Sequence, residues 1–275
     1  MLTQALDYGE ECEVLHALLR DLAPSRWEQP TQFNGWTFND VIRHLHLFDH
    51  AAKLTLLDPE GFKRWLARMM RERKQGRSMA DIAAAWLDGC GGEALLTRWL
   101  DCYLALGDAY GRAEPGQRVA WAGPDMSVRS CISARQMETW AHGQELFDAL
   151  GQIRVERDRI RNIAVMGINT FGWSFANRGL PVPEHKPHVR LVSPSGQIWE
   201  WNEPSAENRI EGTAVDFCRV VAQTRNIQDT KLAVSGEIAR SWMSIAQCFA
   251  GPAVEPPAPA TRFPVSIANQ RELLR

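Results

Sequence analysis

No stretch of this 275-residue chain approaches 18 uninterrupted apolar residues, which excludes a membrane-spanning helix. An excess of one charge is missing too. Lys and Arg number 31 against 33 Asp and Glu, a formal net charge of −2, so the basic footprint of a nucleic-acid-binding surface is absent. The six cysteines (Cys12, Cys90, Cys102, Cys131, Cys218, Cys248) are scattered and form no C-x-x-C pair. Neither a disulfide framework nor a cysteine-built zinc site is expected from that spacing. Glycine-rich phosphate loops are absent as well: no G-x-G-x-x-G and no P-loop occurs. The opening residues, MLTQALDYGEECEVLHALLRDL, carry acids from residue 7 onward where a secretory signal would have a basic region and an apolar core. These absences leave a cytoplasmic protein with reduced thiols, whose partners are small molecules rather than nucleic acid or membrane. The oligomeric state is not legible, although a homodimer is compatible with the sequence.

What is present is a globular composition, 45% hydrophobic and 23% charged. At about 150 residues per domain the length suggests two domains. The first 150 residues read as helices. Leu2, Leu6, Val14, Leu15, Leu18, Leu19 and Leu22 recur near helical spacing over residues 2–22. Thr37-x-x-Asp40 resembles a capping box and opens a helix to Leu57, and Asp58-Pro59 opens a basic one. Ser78-x-x-Asp81 opens another, interrupted by Gly89, Gly91 and Gly92 before Leu95–Leu106. After a Gly- and Pro-rich loop over 111–125, Ser133-x-x-Gln136 is expected to cap a last helix to Leu150. With the basic insert set aside, four main helices make a bundle. Beyond Gly151 the pattern changes. Residues 160–177 still read as helix, but His188–Val192 and Ile198–Trp201 flank Ser193-Pro194-Ser195-Gly196 in hairpin fashion, with a third strand near Asn208–Glu211. Helices are expected over 212–223 and 235–249, then a Pro/Ala-rich tail over 251–264. The fold class expected is therefore an all-α bundle (1–152) followed by a smaller α+β domain (153–275).

Seven histidines are few, and three of them (His44, His46, His50) crowd one helix. His46 and His50, at i and i+4, have the spacing to clamp a metal, but Arg43 and Lys53 beside them indicate a solvated face. His44 lies on the apolar stripe of Val41, Leu45, Phe48, Ala52 and Leu56. Glu138 and His142 are one turn apart on a face that continues through Leu146 and Ala149. A carboxylate and an imidazole aimed at a bundle interior are costly unless paired or metal-bound. With His44 they form two His and one Glu, a set that binds a divalent ion and leaves a position open. The plainer alternative is a Glu138–His142 surface pair, worth a few tenths of about 1 kcal/mol. Trp36, Trp140 and Trp173 read first as packing residues, with cleft lining the alternative; Cys131 reads as an inert buried thiol, and Arg68, Arg71, Arg73, Lys74 and Arg77 as a solvated helix face, with an anionic ligand or membrane surface the alternative.

Trp36-Thr-Phe-Asn-Asp-Val-Ile-Arg-His44-Leu resembles the W-[ST]-x-x-[DE] signature of the DinB-like superfamily. Arg135-x-x-Glu138-x-x-x-His142-x-x-x-Leu146 resembles the metal-binding helix of its mycothiol-dependent maleylpyruvate isomerase branch. The resemblance covers residues 5–150 well. The remainder is similar, more distantly, to that branch's C-terminal domain of sterol-carrier-like α+β shape. It implies metal ligands at His44, Glu138 and His142, a divalent ion with zinc the leading candidate, and a low-molecular-weight thiol (mycothiol or glutathione) as cosubstrate. Thr224-Arg225 stands where the branch has Gly-Arg, so Arg225 is the counterpart of an arginine near the active site, suited to a substrate carboxylate. The activity implied is thiol-dependent isomerisation or S-transfer on a small, carboxylated substrate, hydrolysis being less expected. A different class is an alternative: a non-catalytic metal-containing binding protein whose C-terminal domain holds an apolar or lipid-like ligand.

Overall fold

The computed structural model describes residues 1–265, so the last ten residues of the expected C-terminal domain lie outside the described region. The chain separates into two compact units, Met1–Ala149 and Leu150–Arg275.

The first unit is the bundle. Its long helices are α1 (Thr3–Leu19), α2 (Phe38–Leu57), α5 (Gly92–Arg112) and α6 (Val128–Ala149), with α3 (Pro59–Lys74) and α4 (Met79–Trp86) inserted between α2 and α5. Around the bundle α1 neighbours α5 and α6, and α2 neighbours α5 and α6. Tyr8, Leu15, Ile42, Leu45, Trp99, Leu106, Ile132, Trp140 and Leu146 fill the centre, none more than 1% exposed. Local chemistry accounts for the helix starts. Thr37 and Asp40 form the full capping box on α2: the Thr37 hydroxyl accepts from the Asp40 amide at 3.2 Å, and Asp40 accepts from the Thr37 amide at 3.0 Å. Asp58 caps α3 ahead of Pro59, accepting from the Gly61 amide at 2.9 Å, and Ser78 caps α4. The last helix departs from expectation. It begins at Val128, where Ser127 Oγ accepts from the Ser130 amide, and Ser133 is buried well inside it. The loop before it is also less irregular than its composition indicates, because β1 (Arg118–Val119) pairs antiparallel with β2 (Met126–Ser127) and leads into α6.

The insert packs on α2 through Leu47, Met69, Ile82 and Ala83, with Phe48, Trp65, Met79 and Trp86 at its margin. Its basic face is partly drawn inward. Arg68 and Arg77 both reach the buried Glu72, at 2.7 and 2.5 Å.

The second unit is α+β. The expected 160–177 helix is two short helices, α7 (Arg161–Asn169) and α8 (Phe171–Ala176), broken at Thr170. β3 (His188–Val192), β4 (Ile198–Trp201) and β5 (Arg209–Thr213) are followed by α9 (Ala214–Val221), β6 (Ala233–Ser235) and α10 (Glu237–Ile245). The sheet order is β4-β3-β5-β6, antiparallel except for the parallel β3–β5 pair. Val189, Leu191 and Ile210 supply its buried face, and Phe217, Val221 and Trp242 add apolar bulk from α9 and α10. β6 was not expected; it lies just ahead of the expected 235–249 helix and shares only Ser235 with it. Three residues without an alternating burial pattern carry too little periodicity to betray a strand.

The β6–α10 junction depends on Gly236. Its φ is +89°, and a Cβ there would lie 2.1 Å from the Glu207 carbonyl oxygen and 2.3 Å from Asn208 Oδ1. That same Asn208 oxygen accepts from the amides of Ile238 and Ala239, capping α10 from across the loop. Gly236→Ala should therefore cost about 1–3 kcal/mol from the backbone conformation alone, with the lost cap in addition. Thermal denaturation should show a lowered Tm; an unchanged Tm would mean that the junction relaxes freely.

Candidate metal centre

Three of the residues singled out in the sequence come together. His44 on α2 and Glu138 and His142 on α6 each offer a ligand atom, and these atoms all lie within 4.8 Å of one another. Glu138 Oε2 is shared: it stands 3.4 Å from His44 Nε2 and 3.5 Å from His142 Nε2. Neighbouring helices explain the meeting, since α2 packs on α6 and the i, i+4 pair on α6 presents both side chains to the same side. Burial pushes His44 down to about 4, opposed in part by its bond to Glu138. Burial acts on Glu138 in the opposite sense, but hydrogen bonds from His142 and His44 outweigh it and hold the carboxyl well below its usual range. A neutral His44 beside an ionised carboxylate is the protonation state a cation requires.

The donor chemistry fits a divalent ion. Bonds of about 2.0–2.1 Å to nitrogen and oxygen in a tetrahedral arrangement separate neighbouring donors by about 3.3–3.4 Å, close to the two His–Glu distances here. Two imidazoles and one carboxylate also leave a fourth position to water or a substrate.

Aromatic rings surround the cluster. Trp36 stacks on His142 with centroids 5.7 Å apart and planes 10° apart, and lies 5.2 Å from His44. Phe33 meets His142 edge-on at 5.0 Å, and Phe48 lies 4.8 Å from His44. Trp36, expected to be a packing residue, is thus a wall of the site; Trp140 is packing indeed, fully buried in the core. Phe33 was not legible as a site residue, although a signal existed. Asn34-Gly35 is a turn dipeptide, and both residues adopt left-handed backbone, φ +53° and +70°. The Trp36 amide donates to the Phe33 carbonyl at 2.9 Å, so the turn sets both rings on the cluster.

His46 and His50 do not join the site, and their surroundings correct the expected solvated face. Both pack on Trp86 of α4, at 5.5 and 4.8 Å, and His46 is buried. The inserted helix covers a face that the basic neighbours marked as exposed. Cys131 is buried, accepts a hydrogen bond from the Tyr110 hydroxyl at 3.2 Å, and is pushed up to about 11, mainly by burial, which suppresses its thiolate. Arg225 belongs to the second unit, past the end of α9. It is buried, and its Nη1 donates to the Thr224 carbonyl at 2.8 Å.

Residues 8–147 match the family model described as the mycothiol maleylpyruvate isomerase N-terminal domain. The chain belongs to that family. A Mycobacterium tuberculosis protein described as uncharacterized, from strain CDC 1551/Oshkosh, is 37% identical over 246 residues, covering 90% of this chain and 95% of its own. Its counterpart in strain H37Rv matches equally. Among solved structures, the crystal structure of the mycothiol-dependent maleylpyruvate isomerase aligns at a TM-score of 0.52 with 16% identity, covering 93% of this chain and 94% of that one. A histidine-to-alanine mutant of that enzyme aligns at the same score with 15% identity. The likeness to the isomerase is one of fold, extending through both units of this family member.

The depressed histidines make stability depend on pH. His44 and His46 both fall from 6.5 to about 4, chiefly by burial, so between those values the unfolded chain binds more protons. Their contribution is complete above about pH 6.5 and is lost as the pH falls toward 4. Tm should drop over that window, and His46→Leu should give a shallower drop than the native chain. Parallel Tm–pH curves for the two proteins would rule His46 out as a contributor.

Proposed function

We propose that this chain is a divalent-metal-dependent enzyme that uses a low-molecular-weight thiol on a small, carboxylated substrate, with His44, Glu138 and His142 as the metal ligands. The observation that carries the proposal is the sharing of Glu138 Oε2 between two imidazole nitrogens at 3.4 and 3.5 Å. Zinc suits mixed nitrogen and oxygen donors in a three-residue open site. Such an ion, when bound, supplies acidification of a thiol and polarisation of a carbonyl oxygen.

The chain's own residues do the rest. His44 and His142 present ring nitrogens to the cation, while Glu138 supplies the negative charge that offsets it. Trp36, Phe33 and Phe48 keep water from the sides of the cluster and confine a reactant to the open side. A thiolate held there can add to an activated double bond, permit rotation and leave again, giving cis–trans isomerisation with the thiol regenerated. Attack with loss of a leaving group would give S-transfer instead. Family membership supports the isomerase branch and mycothiol as the thiol, since a mycothiol-dependent maleylpyruvate isomerase shares the fold. All six cysteines are free, as suits a cytoplasmic, thiol-using protein. Arg225 is the residue we assign to a substrate carboxylate. Its planar fork matters there, so Arg225→Lys should raise KM for a carboxylated substrate while retaining the charge. An unchanged KM would show that Arg225 does not bind the substrate carboxylate.

Elemental analysis of the purified chain should find about one divalent ion per molecule, lost in His44→Ala and His142→Ala. Metal retained by both variants would defeat the ligand assignment. Stripping the ion with a chelator should lower Tm, because a ligand at 100 times its Kd stabilises by about 2.7 kcal/mol. Turnover of maleylpyruvate should depend on added mycothiol, with glutathione and cysteine as comparison thiols. No turnover with any of the three would defeat the thiol-dependent activity and leave the metal assignment standing.

A further inference from the structure

The bundle contains a second costly polar group beside the three donors. Asp49 and Arg135 are 0% and 2% exposed, and Arg135 Nε donates to Asp49 Oδ1 at 2.8 Å. Trp99 Nε1 donates to the other oxygen, Oδ2, at 2.9 Å, and Arg135 Nη2 reaches the Leu45 carbonyl at 3.4 Å. Taking two charges out of water is expensive, and apolar residues of similar volume often stabilise a core as well or better. Stability alone gives no reason for the pair. Its position does. Asp49 follows His44 by five residues on α2, and Arg135 precedes Glu138 by one turn on α6. The pair therefore ties together the two helices that carry the donors, next to the level at which the donors meet. Because Asp49 neutralises Arg135, the tie adds no net charge beside a site for a cation.

A second observation leads to the same residues. His44 Nδ1 is buried and has no hydrogen-bond partner among the described residues. A ligating imidazole ordinarily has its second nitrogen held by a carbonyl or carboxylate, which fixes the ring. Here ring packing must fix it: Phe48 lies 4.8 Å, Trp36 5.2 Å and His142, itself a donor, 4.7 Å from His44. Phe48 in turn lies under the Arg135 guanidinium, with Cζ 5.9 Å from the ring centroid. A continuous run of contacts thus extends from Trp99 through Asp49, Arg135 and Phe48 to His44.

We propose that the buried Asp49–Arg135 pair is a positioning device for the His44/Glu138/His142 centre, orienting the His44 ring through Phe48 and setting the approach of α2 to α6. It rests on the metal reading above. Arg135 and Asp49 touch no metal and no substrate in this scheme; they act through Phe48 and the helix backbones, and what they control is metal affinity and coordination geometry.

The test uses the full chain, stripped with a chelator and reloaded. The Kd for Zn²⁺ is read by competition with a chromophoric chelator, and geometry by the visible absorption of the Co²⁺-loaded protein. Three variants suffice: the apolar pair Asp49→Leu with Arg135→Met, the charge-conserving Arg135→Lys, and Phe48→Leu, which leaves the ion pair intact. The apolar pair should unfold cooperatively near the native Tm yet bind Zn²⁺ at least tenfold more weakly, with an altered Co²⁺ band. Arg135→Lys should fall between it and the native chain, and Phe48→Leu should weaken binding severalfold. If the ion-pair variants fail to fold, Phe48→Leu decides. A Zn²⁺ Kd within twofold of native and an unchanged Co²⁺ spectrum, in every variant that folds, would overturn the proposal. A native chain that takes up no Zn²⁺ or Co²⁺ would instead overturn the metal reading itself.

Discussion

Holding a partly buried carboxylate between two imidazoles is the constraint around which the first unit is organised. Glu138 alone in such surroundings would be driven toward its neutral form by burial, and the hydrogen bonds from His44 and His142 are what keep it ionised. Those bonds exist only if α2 and α6 approach with the right rotation. The two helices are not consecutive; the α3–α4 insert, α5 and the β1–β2 ribbon separate them in the chain. Bringing such distant segments together is what the bundle accomplishes, and the packing of α2 and α6 against each other and against α1 and α5 has that geometry as its outcome.

The same requirement gives α6 its unusual character. Ser133, Arg135, Gln136, Thr139, Gln144, Glu145 and Asp148 are all buried along it, interleaved with Ile132, Trp140 and Leu146. Hydrophobic periodicity cannot mark a single inward face on a helix buried on nearly every side. Leu146 and Ala149 mark a face that Glu138 and His142 share, and the structure brings that pair beside His44. What made Glu138 and His142 legible was their one-turn spacing, a purely local property. His44 was legible because it interrupts an apolar stripe. Asp49 was not, since a single aspartate on a helix with polar neighbours carries no signal until Arg135 and Trp99 are known to face it.

The errors share a physical origin. His46 and His50 share a helix face with Arg43 and Lys53, which indicates solvation, yet Trp86 of α4 packs on both. Tertiary cover of this kind leaves no trace in the periodicity of the covered helix. Ser133-x-x-Gln136 is a capping pattern too, but the chain starts α6 with Ser127-x-x-Ser130 at the end of β2. Either serine could serve; the β1–β2 pairing decides, and two-residue strands are too short to read in advance. By contrast the caps at Thr37, Asp58 and Ser78 and the β3–β4 hairpin were legible, because each is settled within four or five residues.

Locality also explains the W-T-x-x-D…H run of α2. Each residue in it has a separate physical task. Asn34-Gly35 reverses the chain, which lets Trp36 stack on His142 while its backbone carbonyl accepts from the Thr31 amide at 2.7 Å. Thr37 and Asp40 then satisfy the first amides of α2 and fix where the helix begins. Seven residues from Thr37, two turns of helix, brings the chain to His44 on the side of the site. Moving the cap by one residue would rotate His44 by about 100° and carry it away from Glu138. A short motif that is weak as a string is therefore strong as a mechanical specification: it sets the start, the phase and the aromatic wall of the helix in one continuous segment.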